Sequence, residues 1–195
     1  MKYDLKWLLF IVIVLMVAAF AGANAQAQTF LRNSTYSVRY DAGLNSPIEV
    51  RWLITPATLI PRVARSNIKF HSDTRLPRPR VLDSDFTHSG YQRGHMCPAG
   101  DRVFSLEAMR ETFLLSNISP QVPRLNMGVW KNTEAISRNI ARQYGRCSVV
   151  VAPIFFNKEV KFIGKNRVAV PHAYLKCAWC PGCTQSVKIW ILENK

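Results

Sequence analysis

A cation, a glycine and a histidine stand side by side in the stretch Tyr91-Gln92-Arg93-Gly94-His95-Met96-Cys97-Pro98-Ala99-Gly100-Asp101. Arg93 and His95 are two residues apart, so both side chains point to one face if the stretch is an extended strand. Gly94 between them would let a ligand approach the backbone closely. The stretch therefore predicts a reaction centre. A histidine beside a turn is more often structural than catalytic, so this prediction depends on the rest of the chain.

The composition is that of a folded, basic protein. The 195 residues, 48% of them hydrophobic, are enough for one domain of ordinary size with a real core, which excludes a disordered chain. The formal net charge of +14 comes from 26 Lys and Arg against 12 Asp and Glu. Such a charge predicts a polyanionic partner, either nucleic acid or an anionic membrane surface. Charge alone also fits a cationic protein without any nucleic-acid role.

The first residues have the pattern of a secretory signal peptide. Lys2 and Lys6 precede an apolar run from Trp7 to Ala21, and small residues follow as two A-x-A cleavage patterns. A run of 15 apolar residues is short of the ~20 that span a bilayer, which argues against a retained anchor. We therefore expect a signal peptide over residues 1–25, with cleavage after Ala25 or Ala27. A single domain over residues 26–195 would then be secreted or periplasmic.

Five cysteines follow the apolar run, and an odd count leaves at least one of them unpaired. In an oxidising compartment disulfides form and persist, so we expect disulfides. The motif Cys177-x-x-Cys180-x-x-Cys183, with His172 five residues upstream, also fits a zinc site built from thiolates and an imidazole. Disulfides are the favoured reading of this cluster, and their pairing is left open.

Strand patterns occur at both ends of the chain. Thr35–Tyr40 and Pro47–Ile54 flank a turn-rich segment and predict a β-hairpin. Further strands are expected over Ser148–Phe156, Arg167–Val170 and Val187–Leu192. Helices between two groups of strands predict an α+β fold with a mixed or antiparallel sheet and packed helices, rather than repeated βαβ units.

The segment from Pro56 to Phe86 has no regular hydrophobic period and is predicted to be a long basic loop region. Its cations are expected either to follow a phosphate backbone or to be ordinary solvated side chains; they are Arg62, Arg65, Lys69, Arg75, Arg78 and Arg80.

Two helices are predicted in the middle of the chain. Ser105 is placed to cap a short helix through about Arg110, and Asn126 to cap a longer helix that runs to about Tyr144 and ends at Gly145. The longer helix has a predicted apolar stripe of Val129, Trp130, Ile136, Ile140, Ala141 and Tyr144.

Glu134 and Arg138 are four residues apart at the edge of this stripe. A helix laid on a sheet by the stripe would hold Asn126, Glu134 and Arg138 along one rim of its buried face. The alternative for Glu134 and Arg138 is a surface ion pair worth roughly 0.2–0.5 kcal/mol.

Several motifs in the same order resemble the DNA/RNA non-specific endonuclease family. They are Arg93-Gly94-His95, Thr112-Phe113 leading into Ser116-Asn117-Ile118-Ser119-Pro120-Gln121, and Asn126 followed by Trp130 and Glu134. The match extends from Phe70 and Asp73 to Val170-Pro171-His172-Ala173-Tyr174-Leu175-Lys176. The resemblance implies a ββα-metal nuclease core and an endonuclease that hydrolyses DNA and RNA with little sequence or sugar specificity.

Carried over by position, the resemblance makes His95 the general base. It makes Asn126 the direct protein ligand of a divalent ion, usually Mg²⁺ with Mn²⁺ or another divalent ion as alternatives, and Glu134 a second metal residue that acts through water. Attack on a phosphodiester needs a base near neutral pH, an electrophile on a non-bridging oxygen and help for the leaving oxyanion. A neutral histidine and a metal ion would supply these three.

The resemblance further implies that Arg93 and Arg138 hold substrate phosphate and that Asn117 supports the site beside the histidine. Gln92 departs from the family pattern, which usually has aspartate there. A changed charge at that position would retune the histidine pKa or the local hydrogen bonds. The alternative function is a catalytically weakened, basic nucleic-acid-binding protein of the same fold.

Overall fold

The computed structural model describes residues 28–65, 67–156, 159–183 and 186–195. The predicted signal peptide lies outside these ranges. Within them the chain forms ten strands: β1 (Gln28–Arg32), β2 (Tyr36–Asp41), β3 (Ser46–Ile54), β4 (Gln92–His95), β5 (Ile118–Gln121), β6 (Cys147–Ile154), β7 (Phe162–Ile163), β8 (Val168–Ala169), β9 (Ala173–Trp179) and β10 (Val187–Glu193).

Six strands make the main sheet, in the order β1-β2-β3-β6-β9-β10, and every neighbouring pair in it is antiparallel. β4 pairs with β5 in a separate antiparallel ribbon, and β7 pairs with β8 in another. The predicted hairpin corresponds to β2 and β3. β6 and β10 follow the predicted C-terminal strands closely, whereas only Val168–Ala169 of the segment Arg167–Val170 is a strand.

In the described part of the chain two α-helices connect the strands: α1 (Leu106–Glu111) and α2 (Lys131–Tyr144). A π-helical turn, Leu125–Trp130, precedes α2. Ser105 caps α1 as expected, since its hydroxyl accepts a hydrogen bond from the Ala108 amide at 3.4 Å. Gly145 ends α2 with a φ of 79°, a left-handed conformation that suits glycine. Asn126 is not an N-cap, because it lies inside the π-helical turn and its side chain bonds to Gln92 of β4.

The buried face of α2 differs from the predicted apolar stripe. Trp130, Ile140 and Ala141 are buried, but three stripe positions are exposed, namely Val129, Ile136 and Tyr144. Thr133 and Ser137 are buried instead. Their hydroxyls donate to the carbonyl oxygens of Trp130 at 2.7 Å and of Thr133 at 2.9 Å, so two small polar residues pack inward with their hydrogen bonds satisfied.

The main core lies between the sheet and α2. Val50 and Trp52 of β3 pack in one buried cluster with Ile140 of α2. Met96 and Cys97, which directly follow His95, belong to the same cluster and have no exposed surface. The opening stretch is therefore fixed to the core of the molecule. No helix among the described residues has the length and apolar character needed to cross a membrane.

The cysteine cluster does not act as one unit. Cys180 and Cys183 form a disulfide, while Cys177 is free and buried. Cys177 packs on one face of the sheet with Ala152 and Leu175, whereas Cys180 belongs to the main core on the other side. Residues three apart on extended chain point to opposite faces, so Cys177 cannot join the other two.

The zinc alternative is not supported. Nδ1 of His172 accepts a hydrogen bond from the Phe156 amide at 3.3 Å rather than facing the cysteines. Across residues 28–65, 67–156, 159–183 and 186–195 no group of three or more His, Cys, Asp and Glu side chains could hold a metal ion.

Candidate active site

Arg93 and His95 share one face of β4, as their spacing predicts. The imidazole ring of His95 packs against Phe70, with 5.3 Å between ring centroids, and edge-on against Phe113 at 5.1 Å. The guanidinium carbon of Arg93 lies 5.8 Å from the centroid of the same Phe70 ring. Phe70 thus stands between the cation and the histidine on a common surface.

Gly94 has a different role from the predicted one. A Cβ atom added to Gly94 would overlap the side chain of Gln121, which is fully buried on the paired strand β5. The glycine is therefore needed because the neighbouring strand packs against it. The prediction that it lets a ligand approach the backbone is wrong, since Gln121 fills that space.

His95 is a neutral imidazole at physiological pH. Burial, with a further contribution from the positive charge of Arg65, lowers the pKa of His95 from 6.5 to about 3. Nε2 is buried and makes no hydrogen bond to any described residue. An imidazole without a proton on one nitrogen can accept a proton from a reacting group.

Asn117 ties the histidine segment to the end of α1. Its Oδ1 accepts from the Cys97 amide at 2.9 Å, and its Nδ2 donates to the carbonyl oxygens of Cys97 and Thr112, both at 2.9 Å. The Met96 amide also donates to the Asn117 carbonyl. These contacts hold the backbone one and two residues after His95, as expected if Asn117 supports the site beside the histidine.

Asn126 and Gln92 meet across the site. Nδ2 of Asn126 donates to Oε1 of Gln92 at 2.8 Å, which connects the π-helical turn to the first residue of β4. The turn is irregular, because Gly128 has the non-helical backbone angles φ −99° and ψ −111°. Among the described residues, Oδ1 of Asn126 has no protein partner and is free to bind a ligand.

Glu134 and Arg138 lie on one side of α2, as predicted, but they are not an isolated surface pair. Nη1 of Arg138 donates to Oδ1 of Asp101 at 3.0 Å and lies 3.8 Å from Oε2 of Glu134. Asp101 is fully buried, and its other oxygen accepts from Nε1 of Trp52 at 2.8 Å. Arg138 is therefore anchored on a buried carboxylate that sequence reasoning did not assign to the site.

The surroundings of Glu134 have opposing effects on its pKa. Burial raises the pKa of Glu134, and Asp101 adds to that effect, while Lys176, Arg138 and Arg65 lower it. Lys176 has no exposed surface, and its Nζ lies 4.8 Å from the ring centroid of Trp130. Burial in turn lowers the pKa of Lys176. A carboxylate and several cations thus share the space beneath α2.

Arg93 is already held by protein groups. Its Nε and Nη2 donate to Oδ1 and to the carbonyl oxygen of Asp83, and its guanidinium lies 5.5 Å from the centroid of Phe86. This leaves the guanidinium fixed in place but only partly available to a phosphate.

Arg65 is a site residue that the sequence did not single out. Its guanidinium carbon lies 5.3 Å from the centroid of Phe113, and its charge acts on both His95 and Glu134. In the sequence Arg65 is one of six cations in an aperiodic segment. No spacing distinguishes it from the others, so only the folded chain identifies it.

Two other cations of that segment have structural roles. Arg75 forms an ion pair with Asp73 and donates to Oδ1 of Asn33 at 2.8 Å. Although burial raises the pKa of Asp73, hydrogen bonds from Arg75 and Ser116 hold it below its usual value. Arg80 donates to backbone carbonyl oxygens. Neither guanidinium is free to follow a phosphate backbone.

Cys97 does not take part in the chemistry of the site. It has no exposed surface, and burial raises the pKa of its thiol to about 12. The thiolate is the reactive form of cysteine, so a buried thiol that stays protonated is inert. Cys97 is a core residue that happens to follow the motif.

A model of the DNA/RNA non-specific endonuclease family matches residues 19–194. The chain belongs to this family. It is 35% identical over 153 residues to mitochondrial endonuclease G of Bos taurus, covering 73% of this chain and 51% of that protein. It is 34% identical over 165 residues to the human protein of the same name, covering 80% of this chain and 55% of the relative. The chain thus spans about half the length of these relatives.

Fold comparison agrees with the family. A chain in the crystal structure of the EndoG/EndoGI complex matches with a TM-score of 0.79 and 27% identity, covering 85% of this chain and 74% of that one. The α+β prediction with a ββα-metal nuclease core is confirmed. In this member of the DNA/RNA non-specific endonuclease family, His95 lies on β4 of the β4–β5 ribbon, Asn126 in the π-helical turn and Glu134 on α2.

The predicted secreted or periplasmic location is wrong. The relatives are named as mitochondrial proteins, among them endonuclease G of Bos taurus and a mitochondrial nuclease of Saccharomyces cerevisiae that is 36% identical over 132 residues, 66% of this chain and 40% of that protein. Lysines before an apolar run do not by themselves determine the compartment of a protein. That segment lies outside the described residues.

Proposed function

We propose that the chain is a divalent-metal-dependent endonuclease that hydrolyses phosphodiester bonds of DNA and RNA with little sequence or sugar preference. The observation that carries the proposal is His95, an imidazole that stays neutral beside two arginines. Family membership and the net charge of +14 support it. We extend the proposal to one nuclease domain over residues 26–195 and, from the names of the relatives, to a mitochondrial protein.

The donors of the site fit a hard divalent cation. Asn126 offers an amide oxygen without a protein partner, and Glu134 offers a carboxylate that is close only to Arg138 among the described ion pairs. One amide ligand and one carboxylate acting through water leave most coordination positions to water and substrate, a mode typical of Mg²⁺. When bound, such an ion stabilises negative charge on a phosphoryl oxygen and on the leaving group.

The protein residues have separate tasks in this proposal. Nε2 of His95 is buried, so we assign the acceptance of a proton to Nδ1. A water molecule loses that proton as its oxygen bonds to phosphorus and the bond to the leaving oxygen breaks. An anionic phosphate beside the ring favours the imidazolium and raises the pKa of His95 during the reaction. Asn117 keeps the histidine segment in place.

Cations on three sides would hold the phosphate. Arg93 lies on β4 beside His95, Arg138 lies on α2 beside Glu134, and Arg65 faces both. Guanidinium groups bind phosphate oxygens irrespective of base identity, and contacts to the backbone position a nucleic acid without reading its sequence. This supports the expected lack of sequence preference.

The test is nicking of supercoiled plasmid and degradation of RNA with Mg²⁺ or Mn²⁺, with and without EDTA. We expect cleavage that EDTA abolishes and that His95→Ala reduces by at least about 100-fold, since a general base contributes 10²–10⁴-fold. His71→Ala is the matched control, because His71 is exposed. Wild-type protein that leaves both substrates intact, with His95→Ala behaving identically, would overturn the proposal.

One observation favours the second candidate, a catalytically weakened nucleic-acid-binding protein. A histidine whose pKa is about 3 is a weak base unless substrate raises that value. Salt-dependent binding of DNA without turnover across several divalent ions would select this candidate over the enzyme.

A further inference from the structure

We propose that Gln92 is the positioning residue for Asn126, and that this neutral amide pair gives the chain a divalent-ion site with unusually little negative charge. The inference rests on the proposed function, in which Asn126 is the direct metal ligand. It assigns a task to the residue at which the chain departs from its family, and it predicts how the ion affinity responds to charge there.

The geometry fixes which end of the Asn126 amide faces outward. An amide has a donor end and an acceptor end, and only a donor satisfies the carbonyl oxygen of Gln92. Nδ2 of Asn126 donates to that oxygen at 2.8 Å. Oδ1 of Asn126 therefore points away from Gln92, which leaves the oxygen and not the nitrogen available to a cation.

A second contact fixes the orientation of Gln92 itself. Its Nε2 lies 3.5 Å from Sδ of Met127, a weak acceptor, so both ends of the Gln92 amide touch consecutive residues of the π-helical turn. Gln92 is also the first residue of β4 and pairs with Gln121 of β5. The strand ribbon thus holds the turn through one side chain.

The turn needs such support because its backbone is irregular. Leu125 and Trp130 bury the two ends of the turn, but Gly128 has non-helical angles and Met127 is 62% exposed, so packing does not restrain the residues directly after Asn126. Removing the Gln92 amide would free the Asn126 side chain to rotate. Partners that orient a metal ligand typically contribute 10–100-fold to metal affinity.

The charge balance gives a second consequence. Asp101 is engaged by Arg138 and Trp52, Asp83 is engaged by Arg93, and a third guanidinium, that of Arg65, also faces the site. A cation would then meet one further carboxylate, Glu134, and a neutral residue at position 92. Because so little negative charge is available, we expect the site to bind a divalent ion weakly. An added carboxylate at position 92 should strengthen this binding.

The test measures Mn²⁺ binding without substrate, by the loss of the free-ion electron paramagnetic resonance signal, in protein that carries His95→Ala to prevent turnover. We expect Gln92→Leu to weaken binding at least about tenfold. Gln92→Glu, which keeps the acceptor, adds a negative charge that attracts the divalent cation, so it should tighten binding by roughly tenfold. Gln143→Leu, at an exposed position on α2, is the matched control and should change nothing. Thermal unfolding without metal verifies that each variant folds.

Asn126→Ala distinguishes a failure of the proposed function from a failure of the role of Gln92. If Mn²⁺ binding is absent, or unaffected by Asn126→Ala, the proposed function fails at its metal ligand. If binding requires Asn126 but Gln92→Leu and Gln92→Glu both bind as tightly as the parent, only the role of Gln92 is overturned. Opposite shifts for the two Gln92 variants support the inference.

Discussion

Arg138 on α2 donates a hydrogen bond from Nη1 to Oδ1 of Asp101, 3.0 Å away, and so ties the helix to the segment that follows His95. The side chain of Asp101 is 1% exposed and that of Arg138 is 20% exposed. Gly100, next to Asp101, lies against the same guanidinium. A single buried carboxylate therefore links α2 to the segment that follows the histidine.

We predict that Asp101→Ala lowers the free energy of unfolding by about 2–3 kcal/mol, because the Arg138 guanidinium loses its buried hydrogen-bond acceptor. The substitution also removes the acceptor of the Trp52 indole. Urea unfolding measures the effect. Glu107→Ala, at an exposed position of α1, is the control and should cost little. Equal stabilities for the two variants would contradict the structural role of Asp101.

Gly94→Ala should destabilise the protein by about 1–3 kcal/mol, since the added methyl group overlaps the buried Gln121 side chain. Shortening the neighbour makes room, so Gly94→Ala combined with Gln121→Ser should be less unstable than the sum of the single changes. A double-mutant cycle on unfolding free energies measures this coupling. Simple additivity would show that the two residues do not meet.

The pH dependence of stability should contain a contribution from His95. Its folded pKa of about 3 lies below the unfolded value of 6.5, so the unfolded chain binds an extra proton between these two pH values. The stability contribution is complete above pH 6.5 and is lost as the pH falls toward 3. One proton corresponds to a slope of up to about 1.4 kcal/mol per pH unit. His95→Ala should flatten the plot of stability against pH in this window. An unchanged slope would show that the pKa of the His95 imidazole is not lowered in the folded protein.

Arg65→Ala should slow cleavage by about tenfold or more, because it removes a cation that faces both His95 and Glu134. It should also move the acidic limb of the pH–rate profile to higher pH, since the positive charge of Arg65 helps to lower the pKa of His95. Arg110→Ala, at an exposed position on α1, supplies the control. An unchanged profile with reduced rate would limit Arg65 to holding substrate.

Local sequence signals predicted the elements that depend on neighbours in the chain. The β2–β3 hairpin, the Ser105 cap and the end of α2 at Gly145 follow from patterns a few residues long. The sequence pattern does not predict β9, because Cys177 within it is grouped with Cys180 and Cys183 as a ligand or disulfide cluster rather than assigned to a strand.

The sequence predicts only part of the site, because local patterns do not reveal contacts between residues that are far apart in the chain. Motif residues such as His95 and Asn126 could be assigned from their order in the chain. Asp101 is part of the opening stretch, yet its role depends on Trp52 and Arg138, which lie 49 and 37 positions away. Pairings at such separations are decided by packing, which no local pattern encodes.

Met96 and Cys97 have no exposed surface and belong to the main core, directly after His95. The histidine can therefore reach its place only when the core closes around its neighbours. A chain whose core has not closed would lack the proposed activity. The proposed activity should therefore appear and disappear together with the folded core.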